Sequence, residues 1–190
     1  MFQIGLGEKM LEEFVRIPLK RVAALIGKSG KTKREIEKKT KTKIEIDSDS
    51  GEVSIESKDT KGESFNDFFK AVNIVKAIGR GFSPEHAFRL LRDEEFLEIM
   101  ELEDFLRTPK EIETKKARVI GEKGKARSEI EAKTGANISV FGKTIAIIGR
   151  NEEIEKARKA VEMLLQGARH VTVYNFLNKG EFGEREEFEI

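Results

Sequence analysis

The chain has 190 residues, enough for one domain or two small ones, each with a core of its own. Charged residues make up 37%, against about 25% in an average soluble protein, yet aliphatic residues remain plentiful, which excludes a disordered chain. The absence of cysteine excludes disulfides, thiolate zinc sites and cysteine nucleophiles, no apolar run is long enough to span a membrane, and MFQIGLGEKM lacks the form of a signal peptide, so a cytoplasmic protein is expected.

In chain order, Phe14 to Pro18 reads as a strand and Val22 to Ile26 as a short helix, broken by the stretch Gly27 to Gly30. A second helix starts at Lys31 and ends near Thr40. Ile44 and Ile46 alternate with polar residues, as do Val53 and Ile55, which predicts a hairpin across the acidic turn Asp47 to Gly51. That turn resembles a calcium loop only superficially, since its glycine comes one position early and no twelfth-position glutamate follows. Ser64 is the expected cap of a long helix with Phe65, Phe68, Phe69, Val72 and Val75 on one face.

Residues 82–109 read as a helical linker opened by the cap Ser83 and by Pro84, with Ala87, Leu90, Leu91, Phe96, Leu97 and Phe105 as packing residues. The elements of the first half then recur: Ile138 and Val140 in a strand, a turn at Phe141 to Lys143, a strand from Thr144 to Ile148, and a helix capped by Asn151 with Ile154, Ala157, Val161 and Leu164 on one face. From Lys179 the chain is acidic.

A net charge of +1 conceals segregation. Arg16 to Lys43 holds eleven Lys or Arg against Glu35 and Glu37, and Lys115 to Lys133 holds seven against Glu122, Glu129 and Glu131. Arg92 to Asp104, between them, has seven acids and one base. Two separate patches, rather than the whole surface, are thus suited to a polyanion.

Sliding the chain on itself by 94 residues aligns IGKSGKTKREIEKKTKTKIEI (26–46) with IGEKGKARSEIEAKTGANISV (120–140), identical at ten of 21 positions. A period this long means tandem modules. The repeat also decides what GKSGKT is. A nucleotide-binding P-loop needs glycine where this chain has Leu25, and its magnesium-binding hydroxyl, present at Thr32, has become Ala126 in the second copy. Both copies keep I-G-x-x-G-K instead.

That motif between two helices, with T-x-x-x-I closing the second, resembles the type I KH domain, so the expected fold is α+β: two tandem type I KH domains, each βααββα with a three-stranded antiparallel sheet and helices on one face, joined by a helical linker. The expected boundaries are 1–81, 82–109 for the linker, 110–178, and an acidic tail over 179–190. With GFSPEHAFRLL and AVEMLLQGARHVTVYNFL, the chain is similar to archaeal members of the KH family of small-subunit ribosome assembly, which includes the partner of the Nob endonuclease. The resemblance implies binding of single-stranded RNA near the 3′ end of the small-subunit rRNA, other maturation proteins including a PIN-type endonuclease as partners, and neither catalysis nor cofactor nor metal.

A KH module clamps about four unpaired nucleotides, with the glycine-bounded loop against the backbone. The residues expected to do this are Gly27, Lys28, Ser29, Gly30, Lys31, Lys33 and Arg34, with Ala23, Ala24 and Ile26 lining the base groove. In the second copy they are Gly121, Glu122, Lys123, Gly124, Lys125 and Arg127, with Arg118 and Ile120 in the groove. Helices starting at Lys31 and Lys125 would aim their positive ends at phosphate. Glu122 is expected to weaken the second clamp by about 1 kcal/mol. The strand isoleucines Ile44 and Ile138 are expected in the core. Other readings are a KH subunit of an RNA-degrading complex, a protein-interaction scaffold, and a nucleotide hydrolase.

Overall fold

The computed structural model describes residues 11–57 and 65–178. Ser64 and the acidic tail lie outside the described residues. The chain divides into two compact units at Leu97/Glu98.

The first unit runs β1 (Glu12–Arg16), α1 (Leu19–Ile26), a 3₁₀ turn (Lys28–Gly30), α2 (Lys31–Thr40), β2 (Thr42–Ile46), β3 (Glu52–Ser57) and α3 (Phe65–Gly79), then α4 (Pro84–Ala87) and a 3₁₀ segment (Phe88–Leu91). Its sheet has the order β1-β3-β2, with both outer strands antiparallel to β3. Alternation along the strands sends Val15, Val53, Ile55 and Ile44 inward, where α3 brings Phe68, Val72 and Val75, and leaves Glu12, Arg16, Glu52 and Lys43 outside. The second unit repeats the order with β5 (Asn137–Phe141), β6 (Thr144–Gly149) and α7 (Asn151–Gln166) after α5 (Pro109–Ile120), a 3₁₀ turn (Glu122–Gly124) and α6 (Lys125–Thr134). A final helix, α8 (His170–Asn178), closes it, with Val173 in its core.

The expected α+β fold of two KH modules is present, but the segment 82–109 is not a helical linker throughout. Phe96–Glu101 is a strand, β4, at the edge of the second sheet, whose order is β4-β6-β5. It is the first strand of the second module, which therefore begins before residue 110. Phe96 and Phe105, expected as packing residues, are exposed, whereas Ala87 and Leu90 are buried. Ser83 caps α4 as expected, but Asn151 is the first residue of its helix rather than the cap. The cap is Arg150, whose N–H donates to Glu153 Oε2 at 3.0 Å.

The residues identical in the two copies are explained largely by one tether. Glu37 Oε1 accepts the N–H of Ile44 at 2.9 Å, and Glu131 Oε1 accepts that of Ile138 at 2.8 Å, so α2 and α6 each hold the strand that follows. Thr40 and Thr134 turn their hydroxyls back onto the carbonyls of Ile36 and Ile130 at 2.7 and 2.8 Å, which leaves them buried with their polar atoms satisfied. The β2–β3 turn is closed by Asp47, which accepts from Ser50 Oγ at 2.7 Å and from the N–H groups of Asp49 and Ser50. These bonds hold its carboxyl below the ordinary aspartate range.

Glu37→Ala and Glu131→Ala should each cost about 1–3 kcal/mol in denaturant unfolding, the loss expected for a charged acceptor of a partly buried backbone N–H. Because the folded-state pKa of Asp47 is depressed, its contribution is present above the unfolded value and disappears as pH falls through the folded one. Asp47→Ala should therefore be less stable than the parent near neutrality and indistinguishable from it in strong acid.

Candidate nucleic-acid interface

Each module turns sharply between its first two helices at a G-x-x-G loop. Gly27 and Gly121 end α1 and α5 with φ/ψ of 72°/173° and 72°/175°, and their N–H groups still donate to Ala23 and Ala117 at 2.9 and 2.8 Å. A Cβ on Gly27 would stand 2.8 Å from the backbone nitrogen of Thr32, and one on Gly121 would stand 2.7 Å from that of Ala126. These two glycines thus serve a close helix-to-helix approach within the protein as well as any approach by a ligand.

That packing also buries Thr32, leaving it 8% exposed beneath Gly27. Its hydroxyl is not presented to solvent as the magnesium ligand of a P-loop must be, so geometry and the Thr32-to-Ala126 exchange agree against a nucleotide site.

Between the glycines the loop faces outward. Lys28, Ser29, Glu122 and Lys123 are exposed, and Ser29 and Lys123 adopt left-handed conformations, with φ of 51° and 52°. Such strain is retained where the surrounding structure imposes it, commonly at binding loops. α2 and α6 start immediately afterwards, and neither has an acid in its first turn, so the positive end of each helix is uncompensated.

Lys28, Lys31 and Arg34 in the first module, and Lys123 and Lys125 in the second, have no carboxylate partner among the described residues. Lys33 and Arg127 differ from them. They lie 3.8 and 3.6 Å from Glu37 and Glu131, the carboxylates that tether the strands, so their charge is partly matched within the fold.

The expected groove residues divide in the same way. Ala23 is exposed, and Ala24, Ile26 and Ile120 are half-buried, in positions open to a base. Ile44 and Ile138 are in the core, as expected. Arg118 is committed elsewhere: its Nε and Nη2 donate to the carbonyls of Leu164 and Ala168 at 3.3 and 2.6 Å, closing the C-terminal end of α7, and its own carbonyl is bonded to His170 at 2.9 Å. In the first module Arg21 does the same for α3 through the carbonyls of Ile78 and Phe82. Nothing in the residue pattern separates these capping arginines from surface ones.

Comparison with known proteins agrees with this geometry. Residues 12–62 match the KH domain, and residues 96–181 match the eukaryotic-type KH domain of type I, a match that starts at the first residue of β4. A KH domain-containing protein of Methanocaldococcus jannaschii is 46% identical over 175 residues, which cover 92% of this chain and 76% of that protein. The pre-rRNA-processing protein PNO1 of Chaetomium thermophilum is 32% identical over 108 residues, 55% of this chain and 42% of that protein. Among solved structures, Dim2p from Pyrococcus horikoshii superposes with a TM-score of 0.81 at 52% identity, covering 88% of this chain and 98% of that one. A chain of the a/eIF2alpha–aDim2p–rRNA complex from the same organism superposes with a TM-score of 0.83 at 51% identity, covering 90% and 93%.

The two glycines of a loop should respond differently to alanine. Gly121→Ala, with backbone in the way, should lose about 2–4 kcal/mol in thermal or denaturant unfolding. Gly124→Ala meets open space and should lose only about 1 kcal/mol, the cost of its left-handed backbone.

Proposed function

The chain belongs to the PNO1/Dim2 family of KH-domain proteins, and we propose on that premise that it binds single-stranded rRNA near the 3′ end of the small-subunit rRNA during maturation of that subunit. The observation that carries this reading is the duplicated loop itself: exposed, glycine-bounded, backed by an uncompensated helix start and flanked by cations that no carboxylate of the fold neutralises. Phosphates of an unpaired strand fit such a loop, since backbone and dipole supply donors while the lysines supply charge.

Within this reading the first loop contributes Gly27, Lys28, Ser29 and Gly30, with Lys31, Lys33 and Arg34 beside them and Ala23, Ala24 and Ile26 against the bases. The second contributes Gly121, Glu122, Lys123 and Gly124, with Lys125, Arg127 and Ile120; Arg118 acts there only by holding the helix end. The archaeal Dim2p structure determined with rRNA supports the ligand, and the name of the PNO1 relative, a pre-rRNA-processing protein, supports the process. The protein acts by holding RNA in the cytoplasm without chemistry of its own, and a PIN-type endonuclease working on the same rRNA end is its expected protein partner.

The test is a fluorescence titration of a labelled oligonucleotide matching the small-subunit rRNA 3′ end against a scrambled strand. Lys28→Asp/Ser29→Asp and Glu122→Asp/Lys123→Asp should each weaken binding of the matching strand, the first by more because its loop carries no acid to begin with. Equal weak binding of both strands by all three proteins would remove the assignment.

A further inference from the structure

α2 carries more positive charge than the loop requires. Lys31, Arg34, Lys38 and Lys41 follow one another at spacings of three, four and three, which brings them onto one face of the helix, and all four are exposed. The opposite face is the buried one, with Thr32, Ile36 and Thr40. Among the described residues none of the four has a carboxylate partner, whereas the neighbouring Glu35 and Glu37 are paired with Lys39 and Lys33.

The second module is an internal control for what the fold itself needs. At the positions equivalent to Lys31, Arg34, Lys38 and Lys41, α6 and its cap have Lys125, Ser128, Ala132 and Gly135. Only the lysine next to the loop is common to both, so the other three cations are dispensable for folding.

Two geometric observations argue that they are kept for a ligand. Lys41 sits at the left-handed C-cap of α2 with φ 51°, a conformation that favours glycine, and glycine is what the second copy has there, at φ 82°. A lysine is retained at a position where it costs stability. Arg34 also folds back over the loop: a Cβ on Gly30 would stand 2.9 Å from its Nη1, whereas beside Ser128 the equivalent Gly124 meets open space. Its guanidinium fork thus joins the loop to the row of lysines and suits a phosphate oxygen pair.

We propose that Arg34, Lys38 and Lys41 form a phosphate track that carries the RNA backbone beyond the loop of the first module along the exposed face of α2. From Lys31 to Lys41 the track spans about 15 Å, ten residues at the helical rise. The proposal rests on the RNA-binding reading of the same module and adds to it an asymmetry: the first module holds a longer stretch of backbone than the second. The ligand chemistry is that of backbone phosphates, supplied by either a continued single strand or a flanking duplex.

The experiment uses the full chain, a labelled twelve-nucleotide strand matching the small-subunit rRNA 3′ end, and a hairpin in which the flanks of that strand are base-paired, titrated from low to high salt. Arg34→Ser/Lys38→Ala/Lys41→Gly installs the residues that the second copy already tolerates. Three lost phosphate contacts should reduce the slope of log K against log salt by about 2 on a single strand and weaken binding about 10-fold to 100-fold at 0.1 M salt. A loss confined to the twelve-mer identifies a single strand on the track, and a loss confined to the hairpin identifies a duplex. Lys41→Gly alone should raise Tm while weakening binding, a pairing that a purely structural role does not produce.

An unchanged slope on both RNAs in the triple variant, with binding lost in Lys28→Asp/Ser29→Asp, would overturn the track and leave the proposed function standing. Loss in the triple variant with no effect of the loop variant would do the reverse. Failure of the unaltered chain to bind either RNA would overturn both.

Discussion

The contact on which each module depends is the approach of its second helix to the last turn of its first, made possible by a missing side chain. Gly27 lies on the backbone of Thr32, and Gly121 on that of Ala126, at separations that no Cβ survives. Once that corner is closed, the remainder follows in order. The next helix starts at once, the residues between the glycines project outward, and Glu37 or Glu131, two turns along, reaches the N–H that sets the following strand. The tether then fixes the sheet register against the core. The exposed loop and the buried core are two sides of one corner, so a change under the loop alters the binding surface without touching it.

The same corner explains why a nucleotide-binding motif can be imitated so closely without the function. In a P-loop the glycines open the backbone toward phosphate and leave a hydroxyl free for the metal. Here the first glycine is used to let Thr32 pack beneath the turn, and the hydroxyl is lost to the interior. Small differences in what lies under a glycine-rich loop thus separate a catalytic cradle from a clamp on an RNA backbone.

Much of this was legible in the sequence because the chain states it twice. The 94-residue repeat separated residues the fold needs from those it does not, and alternation at Ile44, Ile46, Val53 and Ile55 located the hairpin. β4 was illegible for a physical reason. As an edge strand it keeps its carboxylates Glu98 and Glu101 only half-buried, and FLEIME has too little alternation to stand out from the acidic run around it. The role of Arg118 was hidden as well, since a guanidinium bound to carbonyls 46 and 50 residues away leaves no local mark. The cap of α7 was missed by one residue because Asn151 is the better capping side chain, whereas the reach of Glu153 to the preceding N–H decides the boundary.

The arginines that close the last helix of each module carry a consequence for how such proteins diverge. Arg21 aligns with Lys115 in the repeat, and Arg118 aligns with Ala24, one helical turn further on. The two halves have therefore reached the same latch from different starting positions. What descent has preserved is an address in space, the frayed carbonyls of a helix end, rather than a column in an alignment. A survey of relatives that scores each column separately would record both sites as variable, although losing the latch in either half would unfasten the helix that backs its sheet.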